Sequence, residues 1–349
     1  MQVGILGWPG SGKSTLFAAL TGRVEDAGRL GDPSTAVIHV PDGRVDRLSS
    51  MYSPRKTTHA EVVFVDPGAD RSPGAGRPTF PEALLETLRS VDALALVVRD
   101  FENPSVPRPP GSKNAHDDLD SIEQELVLRD LERVEKRLER LRKEGNKPES
   151  RAEQALLEKL QQQLEEERPL REGEWSADEW ARLRGFQFLS IKPAVVVFNV
   201  GEEALGRVAD AANERPGRAE LRLCAKIECE LIELDTDERQ QFLEQLGLEE
   251  SARDAFVRTA YRLLDLVSFF TVGEDEVRAW PVRRGSTAPV AAGRIHSDLQ
   301  KGFIRAEVIH YDDFIRVGSM SAAKADGVLR LEGKNYQVHD GDIMHVRHA

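Results

Sequence analysis

A chain of 349 residues with 40% hydrophobic content is long enough to bury more than one core, which excludes disorder as the default and predicts two or three domains. A formal net charge of -12 excludes indiscriminate coating of nucleic acid, DNA included, because phosphate neutralisation takes many clustered Lys and Arg, so any RNA contact has to come from a local basic patch. Cys224 and Cys229, with no His at ligand spacing, exclude a disulfide framework or zinc site, and with no basic leader and no apolar run near the roughly 20 residues of a membrane span the expected location is the cytoplasm.

Residues 2 to 6 make a short apolar run that breaks at Gly7, and from Ser14 onward Leu16, Phe17, Ala19 and Leu20 take helical spacing, so strand, loop and helix are expected in that order. Strands follow at Ala60 to Asp66 and Ala93 to Val98, with helix spacing over Pro81 to Ser90 between them. A further β-rich run, Ala194 to Asn199, comes after Lys192-Pro193. This alternation predicts an α/β fold, a mostly parallel sheet with helices on both faces. Asp117 to Gly185 interrupts it. Leu131, Val134, Leu138 and Leu141 form one apolar stripe and Ala152, Leu156, Leu160 and Leu164 another, separated by Gly145-Asn146-Lys147-Pro148, with Glu132 and Lys136 on an outer face. The pattern predicts an inserted antiparallel helical hairpin of coiled-coil type. Beyond Val267 come short strands at Ser268 to Val272, Glu276 to Val282, Arg305 to His310 and Ile343 to Arg347, with one helix from Ala291 to Lys301 after Pro289 and turns at Gly273-Glu274-Asp275 and Asp340-Gly341. A mixed sheet crossed by one helix, a β-grasp shape, is the economical solution.

Gly7-Trp8-Pro9-Gly10-Ser11-Gly12-Lys13-Ser14 matches the phosphate-binding P-loop pattern in the context it needs, after a strand and before a helix. Glycines allow the backbone N–H groups to turn inward and the helix N-terminus adds partial positive charge. Gly7, Pro9, Gly10, Ser11, Gly12, Lys13, Ser14 and the following Thr15 are therefore candidate nucleotide-binding residues. Lys13 is the candidate catalytic cation, reaching the β- and γ-phosphates. Ser14 offers a hydroxyl to Mg2+, and Asp66, closing the run Val62-Val63-Phe64-Val65, is the expected acidic partner for that metal. Asn199-Val200-Gly201-Glu202 stands where a P-loop GTPase carries Asn-Lys-x-Asp. Val200 for Lys and Glu202 for Asp shift the carboxylate that would read guanine, which favours ATP and leaves GTP as the alternative. Cys224-Ala225-Lys226 falls at the usual place of a second base-contacting loop. The plan is a nucleotide-binding domain over 1–116 and 186–266, the hairpin over 117–185, and the β-grasp domain over 267–349.

With these motifs placed, the sequence resembles the YchF family of Obg-like ATPases. The likeness also runs through Val40-Pro41-Asp42, Val91-Asp92-Ala93, Leu131 to Leu138, Cys224 to Glu228, Ala291 to Asp298 and Tyr311 to Phe314. It implies a TGS domain at the C-terminus, ATP preference, slow hydrolysis without the catalytic Gln of ordinary GTPases, and association with ribosomes or translation factors. The sequence departs from the family at Gly10, where Asn linked to potassium is usual, and lacks the T-x-E-P-N stretch before Val40, with Thr35 a weak substitute. It also carries Ala69 and Asp70 where a glycine and an apolar residue are expected. The leading expectation is thus an ATP-driven switch whose loops near 28–40 and 66–80 respond to nucleotide, and the rivals are a binding module with negligible turnover and a GTPase. Arg278, Arg283, Arg284, Arg294, Lys301 and Arg305 make RNA contact through the C-terminal region an expectation, beside the helical arm.

Overall fold

The apolar run at the start of the chain becomes an inner strand of a six-stranded sheet. The computed structural model describes residues 1–22, 33–68, 79–104, 107–144, 148–207, 217–248 and 250–349. The strands in chain order are β1 (Gln2–Leu6), β2 (Ser34–His39), β3 (Lys56–Thr58), β4 (Glu61–Asp66), β5 (Ala93–Asp100), β6 (Ala194–Val200), β7 (Arg218–Leu223), β8 (Leu266–Thr271), β9 (Glu276–Arg283), β10 (Phe303–His310), β11 (Arg330–Glu332) and β12 (Asp342–His348). Two compact units result, Met1–Val37 with Val63–Leu263, and Ile38–Val62 with Leu264–Ala349.

In the first unit the sheet order is β2-β4-β1-β5-β6-β7. β1 pairs parallel with β4 and β5, β5 with β6, and β6 with β7. β6 is buried along its whole length and β5 up to Asp100, as expected of inner parallel strands covered on both faces. Parallel pairing brings Leu6, Asp66, Val200 and Leu223 to one sheet edge, and the loops after them form a shared rim, the usual position for a ligand site.

The helix Ala115–Glu144 begins as a covering layer: Ala115, Leu119, Ile122 and Leu126 share a core with Leu94, Leu96 and Val196. It then runs on to pair with the helix Pro148–Glu165. Val134, Leu138 and Leu141 are buried with Leu156, Leu160 and Leu164, as their spacing predicts. Ala152 is exposed and Leu157 is buried instead, because Glu153 turns toward the partner helix, accepting from Arg137 Nε at 2.7 Å. The base of the hairpin is tied by buried polar groups. Asp130 accepts from the Leu189 N–H at 2.9 Å and from both the N–H and hydroxyl of Ser190 at 2.7 Å, and the Arg171 guanidinium donates to both Glu123 oxygens at 2.7 and 2.6 Å. After Glu165 the chain does not stay helical to Gly185. It forms a short turn, Leu170–Glu172, and a helix, Ala177–Leu183, started by a reciprocal Ser176–Glu179 cap.

In the second unit the order is β11-β10-β12-β8-β9-β3. β8 and β9 form an antiparallel hairpin, β12 lies parallel to β8, and the helix Ala288–Ile295 buries Ala288, Ala291 and Ala292 against Phe269, Val282 and Ala306. That is a β-grasp arrangement. The single helix expected from Ala291 to Lys301 is two, Ala288–Ile295 and Ser297–Lys301. His296 between them is extended, and its Nδ1 accepts from the Asp298 N–H at 3.2 Å, starting a new helix. Residues 38–62 add β3, parallel to β9, and the helix Gly43–Tyr52. Arg44 of that helix donates to Asp340 at 2.8 Å and lies over the Phe270 ring at 5.1 Å, and Tyr52 stacks on Phe314. Among the described residues no helix is long and apolar enough to cross a membrane.

Candidate functional site

Residues Gly7 to Ser14 leave β1 at the rim and turn directly into the helix Lys13–Thr21. Two glycines are dictated by the backbone. Gly12 has φ 93°, and a Cβ there would lie 2.0 Å from Asn199 Nδ2. A Cβ on Gly7 would lie 2.2 Å from the Val97 carbonyl oxygen and 2.7 Å from Ser11 Oγ. The Lys13 ammonium donates to the Gly7 and Trp8 carbonyls at 2.6 and 3.1 Å, so it lies over the loop that a phosphate tail would occupy. Pro9, Gly10 and Ser14 are exposed, Thr15 is half-buried, and Ser11 is buried with a hydroxyl lacking a hydrogen-bond partner.

Asn199 joins the separate motifs. Its Nδ2 donates to the Ser11 carbonyl at 2.9 Å, and its Oδ1 accepts from the Ala225 N–H at 3.0 Å. One buried amide therefore braces the phosphate loop against the loop after β7. Val200 is buried beside Cys224 and Ile227, so it serves as packing beneath the rim. Glu202 begins the turn Glu202–Arg207 and pairs with Lys226 at 2.5 Å, both side chains exposed. The Glu202 carboxylate holds the Lys226 ammonium above its ordinary range. Burial pushes the Cys224 thiol up, away from the thiolate form that a nucleophile needs.

Asp66 ends β4 on the same rim, and one of its oxygens accepts from the Gly68 N–H at 3.0 Å. Ser14 and Asp66 give one hydroxyl and one carboxylate. That set suits Mg2+, which keeps several waters and takes its remaining ligands from phosphates. The buried Ser11 hydroxyl, left without a partner in the loop, fits a cradle for phosphate oxygens, while Gly7 and Gly12 let the loop pack tightly against Val97 and Asn199. Ala69 and Asp70 lie outside the described residues, as does much of the 28–40 and 66–80 loops; Thr35 is exposed on β2.

Sequence spacing misses three supports. Trp8 stacks face to face on Phe80, centroids 4.1 Å apart, anchoring the loop in the core that contains Leu84 and Ala115. Glu228, buried in the helix Ala225–Glu233, accepts from the Ala252 and Arg253 N–H groups, each at 3.0 Å. Arg253 in turn donates to the Leu20 carbonyl at 3.2 Å. Only the match over Cys224 to Glu228 hinted at the second, and nothing local indicated its partners.

Of the basic residues noted in the sequence, Arg278 lies over Trp280 at 3.9 Å and Arg284 pairs with Asp265 at 3.1 Å, while Lys301 and Arg305 are exposed.

A glycine-built loop between strand and helix, on the C-terminal rim of a parallel sheet and braced to two further rim loops, defines a P-loop nucleotidase fold. The family model YchF-GTPase_C, described as "Protein of unknown function (DUF933)", matches residues 266–349. Ribosome-binding ATPase YchF of Pasteurella multocida is 40% identical over 99% of this chain and 98% of its own length. The protein of the same name from Bacillus subtilis is 38% identical over 99% of each. The solved structure of the Schizosaccharomyces pombe YchF GTPase superposes with a TM-score of 0.87 at 32% identity, covering 99% of this chain and 97% of that one. The chain belongs to the YchF family.

Proposed function

We propose that the chain is an ATPase that binds Mg·ATP at the rim of its parallel sheet, hydrolyses it slowly to ADP and phosphate, and acts as a nucleotide-dependent switch on ribosomes in the cytoplasm. The observation that carries the reading is the Asn199 amide, which holds the phosphate loop and the base-side loop in one frame. Gly7, Pro9, Gly10, Ser11, Gly12, Lys13, Ser14 and Thr15 would cradle the phosphates, with Lys13 leaving its loop carbonyls for phosphate oxygens. Ser14 and Asp66 would hold the metal. Mg2+, when bound, neutralises phosphate charge and orients the γ-phosphate. Asn199, Val200, Glu202, Cys224, Ala225 and Lys226 would form the base side. Glu202 is an acceptor suited to the adenine amino group, and its pairing with Lys226 limits where that carboxylate can point. Ribosome association is supported by the names of the relatives from Pasteurella multocida and Bacillus subtilis, and we assign it to the hairpin over 117–185 and the TGS-like domain over 267–349, beside a nucleotide-binding domain formed by 1–116 and 186–266 without residues 38–62, which belong with the C-terminal strands.

The fission-yeast relative is called a GTPase, so base choice needs a direct measurement. Calorimetric titration with Mg·ATP and Mg·GTP is expected to give at least tenfold tighter binding of ATP, and Lys13→Ala to weaken it by about 2 kcal/mol or more, the size of a lost charge-assisted contact. Equal affinities would remove the ATP assignment. A single-turnover assay with ribosomes present that yields no phosphate above background would leave a binding module and no enzyme.

A further inference from the structure

We infer that the helix Glu82–Arg89 is a lever that carries nucleotide occupancy from the phosphate loop to the base of the helical hairpin. What enters the loop rests on the Mg·ATP reading above. The lever rests on what the two ends of this helix touch.

Its N-terminal end is tied to the loop. Phe80, two residues before the helix, stacks on Trp8 with the ring planes 8° apart and the centroids 4.1 Å apart. Both rings are buried. The Trp8 carbonyl accepts from the Lys13 ammonium at 3.1 Å and from the Ser11 N–H at 3.2 Å. Lys13 is the cation that would leave for phosphate oxygens. A nucleotide therefore takes away one of the two donors on the residue that holds Phe80. Empty and occupied loops differ in a specific contact at the lever's first end, as coupling between two sites requires.

Its C-terminal end is tied to the hairpin base. Arg89 is buried, its Nη1 donates to the Gln187 carbonyl at 3.4 Å, and the same nitrogen lies 3.8 Å from an Asp130 oxygen. The Arg89 Nε donates to Glu86 at 2.9 Å, and Glu86 lies 4.0 Å from Arg133. Asp130 and Arg133 both belong to the helix Ala115–Glu144. The buried Lys192 ammonium donates to the Arg89 carbonyl at 3.0 Å and also to the Val91 carbonyl, gripping the end of the lever. These groups sit before the starts of the parallel strands β5 and β6, on the sheet edge opposite the phosphate loop. Strands of seven and eight residues separate the two edges by about 23–26 Å.

Between its ends the lever packs without a polar gap. Leu84, Leu85 and Leu88 share one core with Leu119, Ile122 and Leu126 of the hairpin's first helix, and a close-packed interface passes a shift on instead of absorbing it. The Arg89–Asp130 approach is the sensitive point. At 3.8 Å the charges attract without a hydrogen bond, and a movement of about 1 Å would close them to a charge-assisted bond or part them further. Away from water that difference counts for far more than at the surface. Asp130 then hands it to the Leu189 and Ser190 N–H groups, which donate to its two oxygens.

The test is amide hydrogen exchange of the full chain over residues 187–192, with and without a saturating magnesium complex of a non-hydrolysable ATP analogue. In wild type, binding is expected to change exchange at Leu189 and Ser190 by at least about threefold. Arg89→Gln should bind the analogue within about twofold of wild type and lose most of that response, and Arg89→Lys, which keeps the charge, should retain part of it. Glu86→Gln alters an exposed carboxylate, so the chain should fold as wild type does, and by releasing Arg89 it should shrink the response. A purely structural arginine would alter exchange equally in both states and leave their ratio untouched. A wild-type chain that binds the analogue with a ratio near one would overturn the lever, as would a wild-type ratio in both Arg89→Gln and Glu86→Gln. Calorimetry on the same samples separates this from failure of the Mg·ATP reading, in which the analogue does not bind at all.

Discussion

At the residue scale, the site depends on positions where a single atom has no room. Gly12 is one: its positive φ and the close approach of Asn199 Nδ2 mean that Gly12→Ala strains the backbone and pushes away the amide that braces the loop. The expected cost is about 1–3 kcal/mol in denaturant unfolding, with loss of detectable Mg·ATP binding; a variant with wild-type affinity would show that the Asn199 brace is dispensable. Glu228 gives a pH signature. Burial pushes its carboxyl up, against the pull of the Ala252 and Arg253 N–H donors. A carboxyl whose pKa is raised by folding binds its proton more tightly in the folded chain, so its contribution is full below the ordinary carboxylate range and is lost as pH rises through the folded pKa. The stability of wild type relative to Glu228→Gln should therefore fall between acid and neutral pH. Urea midpoints of the two proteins that track in parallel across that range would contradict the assignment.

At the scale of elements, the hairpin is a continuation of a covering helix, and its base depends on charge that has left water. Asp130→Ala strands the N–H groups of Leu189 and Ser190 and empties a fully buried position, so a loss of about 3 kcal/mol or more is expected in urea unfolding; a loss under about 1 kcal/mol would mean those amides find other partners. This scale also shows what a sequence discloses. β5 and β6 are legible because strands buried on both faces read as unbroken apolar runs, and the hairpin is legible because its leucines recur at helical spacing over several turns. β7 is not, since its alternation runs over only six positions and Arg218 to Leu223 are all Arg, Ala, Glu and Leu, strong helix formers with no β-branched or aromatic residue among them. β3 is three polar residues, Lys56 to Thr58, and becomes a strand only because β9 supplies its hydrogen bonds. The rim positions of Gly7 to Ser14, Asp66, Asn199 and Ala225 were legible from loop chemistry and chain order. The Asn199 brace and the Glu228 cap were not, because each joins residues distant in sequence through backbone atoms, which carry no side-chain signal.

At the scale of the whole chain, the second unit is discontinuous: Ile38–Val62 belongs with Leu264–Ala349. A chain truncated after Leu263 would leave the helix Gly43–Tyr52 without Phe270, Phe314 and Asp340 as partners, and β3 without β9. The truncated protein is expected to expose Val45 and Leu48, which are buried in the full chain, and to show protease cleavage within 38–62 where the intact chain resists. Equal resistance would show that this stretch folds without the C-terminal strands. The same discontinuity bears on biosynthesis. Translation delivers residue 62 about 200 residues ahead of β8, a wait of about 10–40 s at elongation rates of about 5–20 residues per second. Throughout that interval an early segment stays half-made, its nonpolar side chains open to chaperones or to neighbouring nascent chains, until the final strands emerge to close it.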